Sequence, residues 1–177
     1  MTTLDTERLT LRMFRQDDLD AYAAMCADAD VMRHLGDGKP LSRADAWRQM
    51  AMILGHWQLK GHGLWALEER TTGALVGRAG LFEPEGWPGF ELIWMLRRES
   101  WGRGYATEAA RRILRHAFTD LGRQRVISLI RPANADSIRV AERLGERLEG
   151  RTELFGAEAL VYAVERAVWR LASRASP

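Results

Sequence analysis

The segment Trp101-Gly102-Arg103-Gly104-Tyr105-Ala106-Thr107-Glu108 leads into the most regular helical pattern of the chain. Its two glycines allow tight backbone turns and let a ligand approach without obstruction by a Cβ atom. The first amides of a helix have no partners inside the helix, and together they carry about half a positive charge. The segment therefore predicts a site for a phosphate or pyrophosphate group at the start of a helix.

The sequence after this segment alternates between helical and extended patterns. A helix is predicted from Ala106 to Leu121, because its apolar residues recur at the spacing of one buried face. Val126 to Ile130 is a short apolar run typical of a strand. A second helix is predicted from Asp136 to Leu144, closed by Gly145. The tail from Leu148 contains two more strands, one of them Leu160 to Val164.

The sequence before the segment predicts a meander preceded by a strand and helices. Three strands joined by short turns should be antiparallel neighbours; they are Leu64 to Glu69, Ala74 to Phe82 and Phe90 to Leu96. The earlier part begins with a strand, in which Leu9, Leu11 and Met13 alternate with polar residues. A helix follows, with one apolar face formed by Leu19, Tyr22, Ala23 and Cys26, and then a helical turn from Val31 to Leu35. A further helix is capped by Ser42, and its apolar stripe consists of Ala46, Trp47, Met50, Ile53, Leu54 and Trp57. This order indicates one mixed α/β domain.

Length and composition limit the functions that the chain can have. A chain of 177 residues with 46% hydrophobic residues suits one domain, and a net charge of +2 gives no argument for nucleic acid. The one cysteine, Cys26, cannot form an internal disulfide, and core packing is the simplest role for it. No apolar run approaches the ~20 residues that cross a bilayer, and no signal peptide is apparent. A cytoplasmic protein without a metal site is expected.

The glycine segment alone leaves several interpretations open. A P-loop would need a Lys-Ser/Thr pair after the last glycine, and the chain has none there. A dinucleotide fingerprint would need a third glycine where Thr107 stands, so a nucleotide-dependent oxidoreductase is disfavoured. The simplest alternative is an ordinary glycine turn before a helix. The surrounding residues decide between these alternatives.

With its flanks, the chain resembles the GNAT superfamily of acetyltransferases. The family loop Arg/Gln-x-x-Gly-x-Gly/Ala matches at Gly104-Tyr105-Ala106, whereas Trp101 stands at its first position. Tryptophan there is similar to the branch of the RimJ/RimL-type ribosomal-protein N-terminal acetyltransferases. Both ends resemble that branch as well, in Thr6 to Arg12 and in Val161-Tyr162-Ala163.

This resemblance implies a fold and an activity. The fold would be a single GNAT-like domain over 1–177, with a central, mostly antiparallel sheet of about seven strands, splayed in the middle, and about four flanking helices. The activity would be transfer of an acetyl group from acetyl-coenzyme A to a primary amine by direct attack in a ternary complex. The acceptor would be a protein N-terminal α-amine or a small amine, and a homodimer is expected. A non-catalytic acyl-coenzyme A binding module is the alternative.

The resemblance also assigns cofactor-binding residues. The backbone near Leu96 would pair with the pantetheine arm. The loop that holds the pyrophosphate would comprise Trp101, Gly102, Arg103, Gly104, Ala106 and Thr107, mainly through backbone amides. Asn134 would donate a hydrogen bond to the pantetheine. Taken by itself, Asn134 equally suits an N-cap of the following helix.

The catalytic residues implied by the resemblance are Glu91 and Ser137. Glu91 would act as a general base through a water molecule, although a strand-edge carboxylate facing solvent is the alternative. Many family members carry a tyrosine acid where this chain has Ala141, so Ser137 would instead hydrogen-bond the leaving sulfur. Tyr162 is a further candidate acid, but a tyrosine in an apolar strand more often packs. Ile93 replaces a usual glycine and bears on the acceptor rather than on the cofactor.

Overall fold

The computed structural model describes residues 2–169. One eight-stranded sheet has the order β1-β2-β3-β4-β5-β6-β8-β7. The strands are β1 (Leu4–Asp5), β2 (Leu9–Arg12), β3 (Leu64–Glu69), β4 (Leu75–Phe82), β5 (Glu91–Leu96), β6 (Arg125–Ile130), β7 (Arg147–Leu154) and β8 (Ala157–Glu165). The helices are α1 (Leu19–Ala27), α2 (Ala29–Met32), α3 (Arg43–Lys60), α4 (Tyr105–Thr119) and α5 (Ala135–Arg143), and residues 166–169 are helical as well.

The middle of the sheet is splayed. β5 and β6 are the parallel neighbours of this sheet, and their ladder contains one register pair, Glu91 with Ile127. The neighbouring pairs, β4 with β5 and β6 with β8, are antiparallel over six register pairs each. The two halves of the sheet therefore separate beyond Glu91 and leave a gap between β5 and β6.

Backbone groups of β5 face this gap. The Arg97 amide donates to the Val76 carbonyl at 3.0 Å, so Arg97 and Val76 form a hydrogen-bonded pair with β4. Donor and acceptor directions alternate along an antiparallel pair. The backbone groups of Trp94 and Leu96 consequently point away from β4, toward β6. The splay leaves them without a backbone partner strand.

Helix α4 packs against this central region and contacts both β4 and β5. Its inner residues are fully buried, as the apolar spacing predicts; they are Ala109, Ala110, Ile113, Leu114, Ala117 and Phe118. A smaller apolar cluster lies on the β6 side of the gap; its members are Ile130, Ala141, Leu160 and Tyr162. The core thus supports the gap from both sides.

A buried ion network ties the start of α1 to the sheet. The Arg12 guanidinium donates to both oxygens of Asp18, at 2.7 and 2.8 Å, and its Nε donates to Glu68 at 2.6 Å. Asp18 also accepts the Arg15 backbone N–H at 2.7 Å. The Arg12 charge is therefore neutralised by two carboxylates within the fold.

The predicted mixed α/β fold is confirmed, with corrections at particular elements. β1 was not predicted, because a two-residue strand has no periodicity. The helical turn predicted from Val31 to Leu35 is α2, and it begins at Ala29. The Asp28 side chain accepts the Asp30 amide and caps the helix there. On α3 the Ser42 cap is confirmed by its bond from the Asp45 amide. Two residues of the predicted α3 stripe, Trp47 and Leu54, are exposed because the stripe is wider than the surface that α3 buries.

Within residues 2–169, no helix combines the length and the apolar character that a membrane span requires. The expectation of one domain over 1–177 remains a prediction at its ends, because residues 1 and 170–177 lie outside the described part.

Candidate active site

A cleft of about 280 Å³ opens at the N-terminus of α4. Gly102 and Gly104 have φ angles of 71° and 79°, in the left-handed region that favours glycine. A Cβ atom at Gly102 would meet no atom within 4 Å, so the space beside this residue is open. The predicted glycine turn is present, and it faces a cleft that is large enough for a phosphate or pyrophosphate group.

The cleft brings together most of the predicted cofactor residues. Its lining includes Leu96, Trp101, Gly102, Gly104, Ala106, Thr107 and Asn134, and the proposed catalytic Ser137. The Trp101 indole Nε1 donates to the Leu96 carbonyl at 2.9 Å. Of the Leu96 backbone, which was expected to pair with the pantetheine, the carbonyl is thus bonded to a side chain, whereas the amide faces the gap.

Arg103 departs from the predicted grouping, because its side chain turns away from the cleft. Its guanidinium donates to Glu69 at 2.8 Å and lies over the Tyr105 ring, 4.6 Å from the centroid. Tyr105 donates its hydroxyl to the same Glu69 oxygen. Arg8 reinforces the loop by donating to the Arg103 carbonyl at 2.9 Å and to Glu108 at 2.7 Å. These bonds fix the conformation of the loop, and the positive charge of Arg103 is paired with Glu69 rather than directed into the cleft.

A second cavity of about 440 Å³ lies at the splay and is lined by residues of both β5 and β6. Its walls are mostly apolar and include Phe82, Leu92, Ile93 and Leu129. Five of its residues also line the cleft at α4; they are His34, Leu35, Trp94, Asn134 and Ser137. The two cavities therefore meet at these five residues, of which Trp94, Asn134 and Ser137 carry polar groups beside β5 and α5.

Glu91 lies buried in the second cavity, with 4% of its surface exposed. The Trp87 indole donates to Oε2 at 2.7 Å, and the Leu129 backbone N–H donates to Oε1 at 3.1 Å. Burial raises the pKa of Glu91 to about 8, against the lowering effect of these donors. The alternative of a solvent-facing carboxylate is therefore wrong.

The Glu91 carboxylate also explains where the splay begins. The Ile127 amide donates to the Phe90 carbonyl at 3.0 Å, as a parallel ladder requires. The next amide of β6 that faces β5 is that of Leu129, and it donates to the Glu91 side chain instead of to backbone. The side chain thus takes the place of a ladder bond.

A second buried carboxyl, Glu146, lies close to Glu91. It is 3% exposed, and the Ser128 hydroxyl donates to its Oε1 at 3.1 Å, while its Oε2 has no partner among the described residues. Burial raises the pKa of Glu146 to about 8, and the charge of Glu91 raises it further. Glu146 could not be recognised from the sequence, because its position after Gly145 gives no local signal of burial.

Asn134 and Ser137 form a linked pair at the start of α5. The Asn134 Oδ1 accepts the Ser137 amide at 3.2 Å, so the predicted N-cap is confirmed. The Ser137 hydroxyl accepts from the Trp94 indole at 3.2 Å, which leaves its own proton free to donate. Each residue keeps a donor, the Asn134 Nδ2 and the Ser137 O–H, at the junction of the two cavities.

The remaining candidates lie elsewhere. Tyr162 lies on β8 and packs in the small apolar cluster with Ile130 and Ala141; it lines neither cavity, and burial raises its pKa. Cys26 is fully buried in the core, as predicted. In residues 2–169, no group of three or more His, Cys, Asp or Glu side chains is placed to hold a metal ion.

Comparison with known proteins adds family information to this geometry. The family model described as Acetyltransferase (GNAT) domain matches residues 8–147. YkkB of Bacillus subtilis (strain 168) is 34% identical over 149 residues, covering 81% of this chain and 84% of that protein. The N-acetyltransferase p20 of Bacillus licheniformis is 28% identical over 153 residues, covering 85% of each.

Solved structures have the same fold. An acetyltransferase from Agrobacterium tumefaciens str. C58 superposes with a TM-score of 0.83 at 34% identity, covering 93% of this chain and 95% of that one. RimL, the ribosomal L7/L12 α-N-protein acetyltransferase in complex with coenzyme A, superposes with a TM-score of 0.78, covering 93% and 98%. Its identity of 16% limits that likeness to the fold.

Proposed function

Since the chain belongs to the GNAT family of acetyltransferases, we propose that it transfers the acetyl group of acetyl-coenzyme A to a primary amine. The observation that carries the proposal is the junction of two cavities at Trp94, Asn134 and Ser137. One cavity opens at a helix N-terminus with free amides, and the other contains a buried carboxylate. A thioester reaching through the first would meet an amine held in the second.

The α4 cleft has the chemistry to hold acetyl-coenzyme A. Amides at a helix N-terminus attract a pyrophosphate, and the Thr107 hydroxyl lies in the same cleft. The pantetheine arm would run along the open side of β5 toward Asn134, whose Nδ2 is free to donate. The family and the crystal structure of RimL with coenzyme A support this choice of cosubstrate.

The reacting groups then have distinct roles. Glu91 accepts a proton from the acceptor amine, through a water molecule, because only a neutral amine can attack the thioester. The Leu96 amide, which faces the gap, donates to the oxygen of the polarised thioester carbonyl. The Ser137 hydroxyl donates to the departing sulfur. No metal takes part in this scheme.

The position of Gly102 permits a sharp test of the cosubstrate. Gly102→Asp and Gly102→Asn place side chains of equal size in the same open space, and both residues tolerate a left-handed backbone. Only Asp adds a negative charge where the pyrophosphate would lie. We expect calorimetry to show that acetyl-coenzyme A binds the wild type, and that Asp weakens this binding at least tenfold more than Asn.

Two other results would change the conclusion. If neither coenzyme A nor acetyl-coenzyme A binds to folded protein, the glycine loop is an ordinary helix-capping turn and the proposal is wrong. If acetyl-coenzyme A binds but a panel of amines and N-terminal peptides releases no thiol, the chain is a non-catalytic binding module. The absence of a tyrosine at Ala141 is the feature that favours this second function.

A further inference from the structure

Arg78, on β4, is a buried cation without a counterion in the described protein. Its side chain lines the larger cavity, and 7% of the residue is exposed. Its Nε is buried and has no hydrogen-bond partner, and no carboxylate of residues 2–169 lies within 4.0 Å of its guanidinium. A buried charge is costly unless it is paired.

Arg12 provides an internal comparison. It lies opposite Ala66 on one side of β3, and Arg78 lies opposite the same residue on the other side, so the two arginines stand in one row across the sheet. Both are 7% exposed, yet Arg12 donates to two carboxylates, Asp18 and Glu68. The fold thus satisfies one buried guanidinium fully and leaves the other facing a cavity.

The neighbours of Arg78 are neutral when the protein is at ordinary pH. Burial raises the pKa of both Tyr22 and Cys26, and the positive charge of Arg78 only partly opposes this rise. Neither group therefore supplies a negative charge. Glu91 lies in the same cavity but beyond ion-pair distance, and Arg78 lowers its pKa less than burial raises it.

We propose that Arg78 binds a carboxylate of the acceptor, so that the acceptor is a small amino acid-like molecule with both an amine and a carboxylate. The proposal rests on the function proposed above and names the substrate class of the same site. The guanidinium fork matches a carboxylate through two parallel hydrogen bonds. The amine of the bound molecule then lies toward Glu91.

The register of the sheet fits this arrangement. Arg78 lies opposite Met95, and Glu91 lies opposite Phe82, so Arg78 and Glu91 share one face of the sheet. Four residues along β4 separate the two rows, which is about 13 Å between backbones. Both long side chains reach into this space, and the remaining separation suits a molecule with two charged ends. Ile93 lies opposite Gly80 in the row between them, and Phe82 lies in the row of Glu91; both favour an apolar side chain.

The test compares acceptors that differ only at the carboxylate. Leucine, leucinamide and 3-methylbutylamine, with the same series for phenylalanine and methionine, are assayed for thiol release from acetyl-coenzyme A. We expect at least one amino acid to exceed its amide and amine about tenfold to hundredfold in kcat/KM, the size of a charge-assisted pair. Arg78→Met should abolish this preference. Comparing each ratio between wild type and variant cancels the different basicities of the amines.

Arg151→Met is the matched control, because Arg151 is exposed on β7 and pairs with Glu158. It should keep the preference. Arg78→Met should also fold normally, since replacing an unpaired buried charge by an apolar side chain is neutral or stabilising. Binding gives a second readout without turnover: N-acetylleucine, N-acetylphenylalanine or N-acetylmethionine should raise the Tm of the wild type and not that of Arg78→Met.

The outcomes separate this inference from the proposed function. If the simple amines are acetylated as well as the amino acids, or if Arg78→Met keeps the wild-type ratios, the carboxylate site is wrong while the acetyltransferase stands. If no acceptor reacts and no N-acetyl amino acid raises the wild-type Tm, the carboxylate site is wrong again. Failure to bind acetyl-coenzyme A would instead contradict the function itself.

Discussion

At the scale of single residues, Glu91 links the architecture of the sheet to its chemistry. The same carboxylate that takes the place of a ladder bond to Leu129 lies buried in the larger cavity. Burial raises its pKa to about 8. A general base is most effective when its pKa lies near the working pH, so this value suits catalysis at neutral to mildly alkaline pH. Its position is thus fixed by the strand that carries it and by two donors.

Replacing Glu91 by glutamine should remove the base and keep the shape. We expect kcat/KM to fall by about 10²- to 10⁴-fold, the usual contribution of a general base, while the Kd for acetyl-coenzyme A stays unchanged. In the wild type, kcat/KM should rise with pH through about 8, because only the carboxylate accepts a proton. That limb should disappear in Glu91→Gln.

The control for this experiment is Glu85→Gln, which changes an exposed glutamate in the loop before β5. Its pH profile should match the wild type. A Glu91→Gln enzyme with wild-type rates and an unchanged profile would remove Glu91 from the mechanism.

At the scale of elements, the N-terminus of α5 combines a structural and a proposed binding role in one side chain. The Oδ1 of Asn134 caps the helix, and its Nδ2 stands at the junction of the two cavities. Because the two roles use different atoms, substitutions can separate them.

Asn134→Asp keeps the capping oxygen and loses the amide donor, whereas Asn134→Ala loses both. We expect Asn134→Ala to reduce the free energy of unfolding by about 1 kcal/mol, and Asn134→Asp to leave it nearly unchanged. Both variants should bind acetyl-coenzyme A more weakly if the Nδ2 donates to the pantetheine. Denaturant unfolding and calorimetry measure the two effects. Wild-type affinity in Asn134→Asp would leave Asn134 as a helix cap only.

The elements were largely predictable from sequence, because their signals are local. The bounds of Leu64 to Glu69 were predicted as observed, and the helices on either side of β6 were placed within a residue or two. The glycine loop, Leu96, Asn134 and Ser137 could be grouped through the family resemblance. Burial of a single charge is a long-range property, so neither Glu146 nor the unpaired Arg78 could be recognised. The ion pair of the Arg103 side chain could not be predicted for the same reason, since its partner Glu69 is distant in sequence.

At the scale of the whole molecule, two buried carboxyls make the free energy of unfolding fall as the pH rises from about 4.5 to about 8. Burial raises the pKa of Glu91 and of Glu146 to about 8, above the value of a glutamate in an unfolded chain. The folded state then holds more protons than the unfolded state between about pH 4.5 and pH 8. This contribution to stability is fully present below that range and is lost as the pH rises through it.

Glu146→Gln should remove one of these two contributions. From pH 5 to pH 8, each buried carboxyl reduces the free energy of unfolding by about 3 kcal/mol. We therefore expect urea unfolding curves to lose stability with rising pH more steeply for the wild type than for Glu146→Gln. Glu153→Gln, an exposed position on β7, is the control and should follow the wild type. Parallel slopes for all three proteins would contradict the raised pKa of Glu146.

The splay between β5 and β6 creates an additional edge inside the sheet, where most sheets have edges only at their two sides. Exposed strand edges invite pairing with foreign chains, and natural proteins protect them with side chains or covering segments. Here the Trp101 indole closes the Leu96 carbonyl, and Ser137 holds the neighbouring Trp94 ring. Aggregation during purification and storage should therefore depend on how well these two contacts prevent other chains from pairing with the open edge of β5.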